Sequence, residues 1–371
     1  MDLKEALIAL NMIEGIGPIR LSRLIRRFGD ASSVLSASQH ELITVDGIGE
    51  DVARSVNQWE NNIDLSGELN RIRDYGCGIL TSEDERYPDY LRHISDPPIV
   101  LYVRGNILET DHRGIAMVGS RLTTHYGRET ARKLAGSLAR SDITVVSGGA
   151  RGIDTEAHQG ALESGGRTIA VLGTGINRVY PAENIKLFEE IAQSGAVMTQ
   201  FPFNRPGDRQ SFPIRNRIVA GMTIGTVVVE ANRTSGALIT ANMAADYGRQ
   251  VFAVPGRIDS SRSKGCHELI KNGAKLCESS EDILTEFDYL FPNAIPEEPK
   301  NDSNVLNPDS LSGLSDIEKE ILKVLSHHGS EMQIDQLITT GGFRSAEVSA
   351  ALLKLELRKQ VKQLSGKRFT L

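Results

Sequence analysis

The feature of this chain that most constrains its fold is a repeated alternation of short β-branched runs and helix-like stretches, from about residue 78 to residue 290. Strands that alternate with helices in this way form a mostly parallel sheet with helices on both faces. The predicted strands cover residues 115–118, 143–146, 168–172, 196–198, 226–229 and 251–254. The pattern therefore predicts an α/β, Rossmann-like domain.

Most of the predicted strands are followed by a turn of small residues. Gly119 and Ser120 follow the first strand, Gly148 and Gly149 follow the second, and the glycine-rich run 173–175 follows the third. In a doubly wound sheet such turns meet at the carboxyl edge of the strands, where backbone amides and helix N-termini bind anions. The sheet thus predicts a site for a phosphate-bearing ligand.

The glycine-rich turns do not match the common nucleotide-binding motifs. No GxGxxG occurs, and the nearest stretch, 148–152, contains the bulky Arg151. GxxxxGK[ST] is also missing, which disfavours ATP hydrolysis. Of the eight histidines only His327 and His328 are adjacent, and no spacing is typical of a metal site. We therefore expect no cofactor and no metal, and a binding protein rather than an enzyme.

Arginines on strand-end loops are the remaining candidate ligand-binding groups. Arg121 and Arg151 stand in the first two turns. Further arginines are interleaved with aromatic residues between 201 and 217, namely Arg205, Arg209, Arg215 and Arg217 with Phe201, Phe203 and Phe212. Guanidinium groups bind phosphate oxygens and aromatic rings stack on unpaired bases, so the segment indicates single-strand binding. The alternative is that Asp154 or Glu230 pairs with one of these arginines and that the phenylalanines are core.

Residues 1–77 are predicted to form a helical domain that contains two Gly-Ile-Gly turns, at 14–18 and 46–50. These turns are typical of helix-hairpin-helix (SAM-like) domains, where glycines direct backbone amides at one phosphate. Arginines follow the first turn, Arg20, Arg23, Arg26 and Arg27, whereas acidic residues surround the second. A helical module for packing or protein interaction is the alternative.

A second domain boundary is predicted in 291–313, a linker rich in Pro, Asn, Asp and Ser. In the following domain, 314–371, three helices and a hairpin are predicted at 316–325, 334–338, 346–357 and 361–371. This arrangement is typical of a winged helix. Its last part is basic, with Lys354, Arg358, Lys359, Lys362, Lys367 and Arg368. Winged helices bind DNA or proteins, and the sequence leaves both open.

The composition limits where such a site lies. The formal net charge of −6 means that a DNA site must be a local basic patch. Cys77, Cys266 and Cys277 form no CxxC pair, which argues against a disulfide framework and for a reducing compartment. The acidic start and the lack of a long apolar run predict a cytoplasmic protein without a signal peptide or a membrane span.

Several ordered motifs of the central region resemble the DNA processing protein A family, also called DprA or Smf. They are Gly119-Ser120-Arg121, SGGARGID at 147–154, AVLGTG at 170–175, Tyr180-Pro181 with Asn184, FPIRNRIVAG at 212–221 and GRQVFAVPG at 248–256. The resemblance spans about residues 80 to 280. It implies a Rossmann-like domain that binds single-stranded DNA.

The resemblance also implies which residues contact the DNA. Ser120 and Arg121 are expected to bind a phosphate through backbone amides and a guanidinium group, and Asn184 is expected to border the pocket. The full predicted set is Gly119, Ser120, Arg121, Gly148, Gly149, Arg151, Asn184, Phe212, Arg215, Asn216 and Arg217. For one arginine of the FPIRNR stretch, an internal ion pair with Glu230 is the alternative.

The family's function, carried over, is a recombination mediator that protects incoming single strands and loads the RecA recombinase during natural transformation. It is implied to be a homodimer without catalytic turnover. Relatives dimerise through the end of the Rossmann-like domain, where Ile283, Leu284, Phe287 and Leu290 recur at helical spacing. Packing of this helix on the chain's own sheet is the alternative.

Two departures and one rival class of protein accompany the resemblance. Ala182 and Glu183 follow Tyr180-Pro181, where some members have a DNA-contacting lysine, and Gln200 replaces a common glutamate. The rival class is the nucleotide phosphoribohydrolases of a related Rossmann group, which act on a glycosidic bond. Their PGGxGTxxE signature supplies a glutamate that the equivalent turn at 147–152 lacks.

Overall fold

The computed structural model describes residues 1–287, 315–328, 332–358, 360–364 and 368–370. The chain divides into two compact units, Met1–Pro296 and Glu297–Leu371. The predicted linker at 291–313 and the predicted interface residue Leu290 lie outside the described residues. No helix of the described part is long and apolar enough to cross a bilayer.

The first unit begins with seven helices: α1 Leu3–Met12, α2 Pro18–Phe28, α3 Ala31–Ser36, α4 Gln39–Ile43, α5 Glu50–Asn57, α6 Trp59–Asn62 and α7 Leu65–Asp74. The two Gly-Ile-Gly segments form the turns before α2 and α5. Gly15 and Gly47 adopt φ angles of 87° and 81° there, in the left-handed region that glycine enters without steric cost. Arg20 donates hydrogen bonds to both glycine carbonyls, at 2.6 Å to Gly15 and 3.0 Å to Gly47. The hydrogen bonds of this one side chain therefore link the two turns.

The helical region shares a hydrophobic core with the central sheet. One buried cluster contains Leu10 and Leu24 of the helices together with Val100, Tyr102 and Phe203 from the following part of the chain. The edges of the Tyr75 and Tyr102 rings pack against Phe203, with ring centroids 5.6 and 5.9 Å away. The helices are thus anchored on one side of the sheet.

The central sheet has nine strands: β1 Gly78–Leu80, β2 Leu101–Gly105, β3 Ile115–Val118, β4 Val145–Ser147, β5 Thr168–Val171, β6 Ala196–Thr199, β7 Gly225–Val228, β8 Gln250–Ala253 and β9 Lys275–Leu276. Their order is β1-β2-β6-β5-β4-β3-β7-β8-β9. The strands from β6 to β9 in this order pair in parallel, and β2 pairs antiparallel with both β1 and β6. The predicted mostly parallel α/β fold is confirmed.

Helices cover both faces of this sheet: α8 Asp89–Arg92, α9 His125–Arg140, α10 Ile153–Glu163, α11 Ile185–Ser194, α12 Ser211–Gly221, α13 Gly236–Asp246, α14 Lys264–Lys271 and α15 Glu281–Leu284. Short 3₁₀ turns lie at Glu109–Arg113, Ala182–Asn184, Ser261–Ser263 and Thr285–Phe287. One face buries a cluster with Leu134 of α9 and Ala157 of α10, and the other buries Ile218 of α12 and Ala241 of α13. The alternating β-branched strands are buried because both faces are covered.

The residues expected to form a dimer face are part of this core. Ile283, Leu284 and Phe287 are buried, and the Phe287 ring meets Phe252 of β8 edge-on at 6.1 Å. The exposed apolar face predicted for these three residues is therefore wrong, because the helical stripe packs on the chain's own sheet.

The described residues of the second unit form three helices, α16 Asp316–His328, α17 Ile334–Gly341 and α18 Ser345–Leu357. A three-stranded antiparallel sheet, β10 Met332–Gln333, β11 Lys362–Leu364 and β12 Arg368–Thr370, has the order β10-β12-β11. The predicted winged helix is confirmed. Of its basic residues Lys354 and Arg358 are exposed, whereas Lys359, Lys367 and the side chain of Lys362 lie outside the described part.

Candidate nucleic-acid interface

The carboxyl ends of the central parallel strands form the candidate site. The strand order reverses between β3 and β7, so the turns after these strands flank a crevice, the usual ligand position in such sheets. A cavity of about 350 Å³ opens here, lined by Arg121, Gly148, Asp154, Arg209, Phe212 and Asn216, among others. The structure thus brings together residues from three loops that are far apart in sequence.

The turn after β3 is held closely by its neighbours. A Cβ atom at Gly119 would lie 2.5 Å from Cγ1 of Ile153, so only glycine lets α10 approach this turn. The Ser120 amide donates to the Glu230 carbonyl at 2.7 Å, and the Ser120 hydroxyl donates to the Leu122 carbonyl at 3.1 Å. These two polar groups of Ser120 are therefore engaged within the protein.

Glu230, two residues after β7, stabilises the start of α9. Its carboxylate accepts hydrogen bonds from Thr123 Oγ1 at 2.6 Å, from the Thr124 amide at 2.8 Å and from Thr124 Oγ1 at 3.0 Å. Among the described residues it has no arginine partner. The alternative of an ion pair between Glu230 and the FPIRNR stretch is therefore wrong.

Arg215 is a buried structural group beneath the turn after β4. It is 4% exposed and donates from Nη1 to the carbonyls of Gly148 and Val171. Burial lowers the pKa of Arg215 to about 10, while the nearby Asp154 carboxylate opposes the shift. Burial likewise raises the pKa of Asp154, against the charge of Arg215. Asn216 accepts a hydrogen bond from Arg215 Nε at 3.2 Å.

Arg217 is also buried, on the other side of α12. Its Nη1 lies 3.4 Å from a carboxylate oxygen of Asp96, and its Nη2 donates to the side-chain oxygen of Gln200. Burial lowers the pKa of Arg217, and Asp96 opposes that shift. Gln200, whose effect the sequence left open, therefore accepts a hydrogen bond from a buried arginine.

Asn184 and Gly149 support the same edge from within. Asn184 is buried and donates from Nδ2 to the Gly149 carbonyl at 3.0 Å and to Thr155 Oγ1 at 2.9 Å. Gly149 has a φ of 65°, and a Cβ atom there would lie 2.5 Å from the Phe188 ring. Asn184 thus connects the loop after β5 to the turn after β4.

Four side chains form a row along the rim, which we call the rim array: the exposed Arg151, Tyr180 and Arg121 and the half-buried Phe212. The Arg151 guanidinium lies over the Tyr180 ring at 5.9 Å, the Tyr180 and Phe212 rings are 5.5 Å apart, and Arg121 lies over Phe212 at 5.2 Å. Tyr180 is 43% exposed. The array therefore presents two adjacent aromatic rings with a guanidinium group at each end.

The arginines around the rim array differ in their charge partners. Arg151 forms a two-pronged ion pair with Glu183, and Arg205 pairs with Asp208 at 2.7 Å. The hydrogen bond from Arg151 lowers the pKa of Glu183. Exposed Arg121 and Arg209 have no ion-pair partner among the described residues. Two cations of the rim are thus available to an anionic ligand without displacing a carboxylate.

The sequence interpretation missed Tyr180 and Glu183 as parts of the site. Tyr180 stood in the quoted Tyr-Pro motif, but nothing in the chain indicated that its ring would meet Phe212. Of the three phenylalanines offered for base stacking, Phe201 and Phe203 are buried and Phe212 is half-buried. The alternative that the phenylalanines belong to the core is thus correct for Phe201 and Phe203.

His158, a buried ionisable group near the site, has no access to a ligand in solution. His158 is completely buried, with Nδ1 2.7 Å from Thr168 Oγ1, and burial lowers its pKa to about 3. Within the described part of the chain, no three His, Cys, Asp or Glu side chains are grouped as metal ligands would be. The arrangement is suited to binding an anion through arginines.

Comparisons with known proteins agree with this architecture. The family model described as DNA recombination-mediator protein A matches residues 78–288, and the DprA winged helix domain matches residues 307–367. Protein Smf of Synechocystis is 34% identical, with 98% of this chain and 97% of that protein covered. The DNA processing protein DprA of Streptococcus pneumoniae is 42% identical, with 56% of this chain and 73% of that protein covered.

Two solved structures are similar to this one. DNA processing protein A from Streptococcus pneumoniae superimposes with a TM-score of 0.67 at 33% identity, covering 77% of this chain and 99% of that chain. Its counterpart from Helicobacter pylori, described for its single-stranded DNA binding mode, gives a TM-score of 0.51 at 28% identity, covering 56% of this chain and 98% of that chain. The family model covers more than half of the chain, and the Synechocystis relative matches nearly all of it. Both comparisons indicate the same family. This chain belongs to the DNA processing protein A family of recombination-mediator proteins.

Proposed function

We propose that this protein binds single-stranded DNA along the rim array, protects the strand, and delivers it to the RecA recombinase during natural transformation. The observation that carries the DNA-binding part is the rim array itself, in which Arg121 has no carboxylate partner among the described residues and two aromatic rings stand beside it. The relative from Helicobacter pylori, described for single-stranded DNA binding, supports the same ligand.

The chemistry of the array favours a single strand over a duplex. Aromatic rings and guanidinium planes stack on bases that are unpaired, whereas the bases of a duplex already stack on one another. Guanidinium groups meanwhile bind the phosphates of any strand. The rim array, with two rings between Arg151 and Arg121, provides both kinds of contact in one row.

Most of the predicted DNA-binding residues have one of three roles in the proposal: contact with the strand, positioning of the turns, or shaping of the turns. Arg121 and Arg151 are exposed and would contact the strand, with Phe212 between them. Arg215 and Arg217 donate to internal partners and would position the turns rather than the DNA. Four more of the set, Gly119, Gly148, Gly149 and Asn184, would shape these turns.

Arg121→Ala is the direct test of DNA binding. We expect this variant to bind a fluorescent oligothymidine with an affinity lower by tenfold or more, because a charge-assisted phosphate contact contributes about 1.5–3 kcal/mol. Fluorescence anisotropy measures the change. Arg140→Ala is the matched control, since exposed Arg140 ends α9 at the opposite edge of the sheet. Equal affinities of the two variants would reject the role of Arg121.

The salt dependence gives a second readout of the same contact. The logarithm of the binding constant should fall with the logarithm of salt concentration, and Arg121→Ala should reduce the slope by about 0.7 for one lost phosphate contact. A duplex of the same sequence should bind more weakly than the single strand. A flat salt response, or a preference for the duplex, would contradict the proposal.

Delivery to the recombinase and self-association are separate parts of the proposal, supported by membership of the family. We expect the protein to accelerate assembly of the RecA of its own organism on single strands covered by single-strand-binding protein. Sedimentation should show a homodimer at micromolar concentration. No acceleration of assembly would remove the loading role and leave DNA binding in place.

A further inference from the structure

The two ends of the rim array are electrostatically unequal. At one end, Arg121 has no ion-pair partner among the described residues. At the other end, Arg151 donates from Nη2 to Glu183 Oε2 at 3.0 Å and from Nε to Glu183 Oε1 at a shorter separation. Both side chains of this pair are about half exposed, at 55% and 52%. A carboxylate therefore occupies the guanidinium fork that faces the rim.

We propose that Glu183 competes with the DNA backbone for Arg151, so that a strand engages this end of the array only by displacing a carboxylate. The inference rests on the proposed binding of single-stranded DNA. A carboxylate and a phosphate both match the guanidinium fork with two parallel hydrogen bonds, so one guanidinium edge cannot hold both at once. Exposed ion pairs are weak, so a phosphate already held near Arg121 can displace Glu183.

The Glu183 carboxylate has few partners in the described structure, namely Arg151 and the backbone of Glu183 itself. Among the described residues, its carboxylate accepts side-chain hydrogen bonds from Arg151 alone. Asp208, which pairs with Arg205, is different because it also accepts from the amides of Gln210 and Ser211 and so shapes its loop. Glu183 can therefore be neutralised without removing a structural contact of the turn.

The proposal predicts a gain of affinity when an acid is removed. We expect Glu183→Gln to bind oligothymidine about fivefold more tightly, the size of effect that an exposed ion pair allows. Its salt dependence should also become steeper, because Arg151 then neutralises a phosphate. Fluorescence anisotropy on the full chain measures both quantities.

Two comparisons separate this mechanism from a general change in charge. Glu189→Gln removes one negative charge from an exposed position of α11 that has no ion pair among the described residues, and it should change affinity by less than about twofold through screened long-range attraction. Glu183→Gln introduced into Arg151→Ala should have no effect, because the competition requires both partners.

The results for these variants either support or overturn the proposal. Unchanged or lower affinity of Glu183→Gln, an equal gain from Glu189→Gln, or a gain that persists without Arg151 would overturn it. If Arg121→Ala abolishes binding while Glu183→Gln changes nothing, DNA binding at the rim stands and the competition is refuted. If the unmodified protein does not bind single-stranded DNA, the proposed DNA binding and the proposed competition are both refuted.

Discussion

Replacing Gly148 by alanine tests the structural role of the buried arginine beneath the site. Gly148 follows β4, and a Cβ atom there would lie 2.2 Å from Nη1 and 2.5 Å from Cζ of Arg215. Arg215 is 4% exposed, so its guanidinium group is almost entirely shielded from solvent. The substitution must therefore move either the turn or the guanidinium group.

The expected cost follows from the hydrogen bonds that this movement breaks. Arg215 donates to the carbonyls of Gly148 and Val171, and a hydrogen bond from a charged group contributes about 1.5–3 kcal/mol. Partial relaxation of the turn preserves some of this energy. We therefore expect Gly148→Ala to lower the free energy of unfolding by about 3 kcal/mol, roughly the cost of losing one to two such bonds.

Urea unfolding followed by circular dichroism measures this change. Gly236→Ala is the matched control, because nothing lies within 4 Å of the added Cβ at the start of α13. We expect the control to change stability by less than about 1 kcal/mol, the range of the helix propensity difference between glycine and alanine.

A double-mutant cycle attributes the cost to Arg215. In an Arg215→Met background, which replaces the guanidinium group by a shorter, flexible thioether, Gly148→Ala should cost much less than in the unmodified protein. The reasoning is refuted if the cost is the same in both backgrounds, or if Gly148→Ala is no more destabilising than Gly236→Ala.

Two further predictions concern the buried ionisable groups. Burial, assisted by the charge of Arg215, lowers the pKa of His158 to about 3, so the unfolded chain binds a proton below pH 6.5 that the folded chain excludes. Stability should therefore fall as the pH decreases from 6.5 towards 3, by up to about 1.4 kcal/mol per pH unit from this residue. Urea titrations at pH 7 and 5.5 should give a shallower decline for His158→Gln, and an unchanged decline would contradict the assignment. Burial also raises the pKa values of Cys77, Cys266 and Cys277 to about 12. Ellman's reagent at pH 8 should thus react with three thiols in urea and with none in the native protein, and a fast native reaction would show that a thiol is accessible.

The arginines of the candidate site have different roles in the folded protein. Arg215 and Arg217 are buried and have polar partners within the protein, so their substitution should reduce stability as well as binding. Exposed Arg121 lies over an aromatic ring and has no ion pair among the described residues, so its substitution should reduce binding with little effect on stability. Measuring stability and affinity on the same variants therefore separates positioning residues from contact residues.

The sequence by itself determined the parallel core of the sheet and the strand edge at which the candidate site lies. The β-branched runs have the length and spacing of buried parallel strands, and the turns of Gly119 and Gly148 must then meet at one edge because parallel strands end together. The helical spacing and final hairpin of the second unit likewise determined its three helices and wing. These are consequences of local periodicity, which a single sequence displays.

The tertiary structure alone decided which residues of the site face the solvent. Arg215 and Arg217 carry the same side chain as Arg121, but their partners Asp154 and Asp96 come from distant parts of the chain. Burial depends on which segments pack together, and an arginine in a loop carries no periodic signal of its direction. For the same reason the antiparallel β1 and β2, the contact between the Tyr180 and Phe212 rings, and the pairing of Arg151 with Glu183 emerged only when the chain was folded.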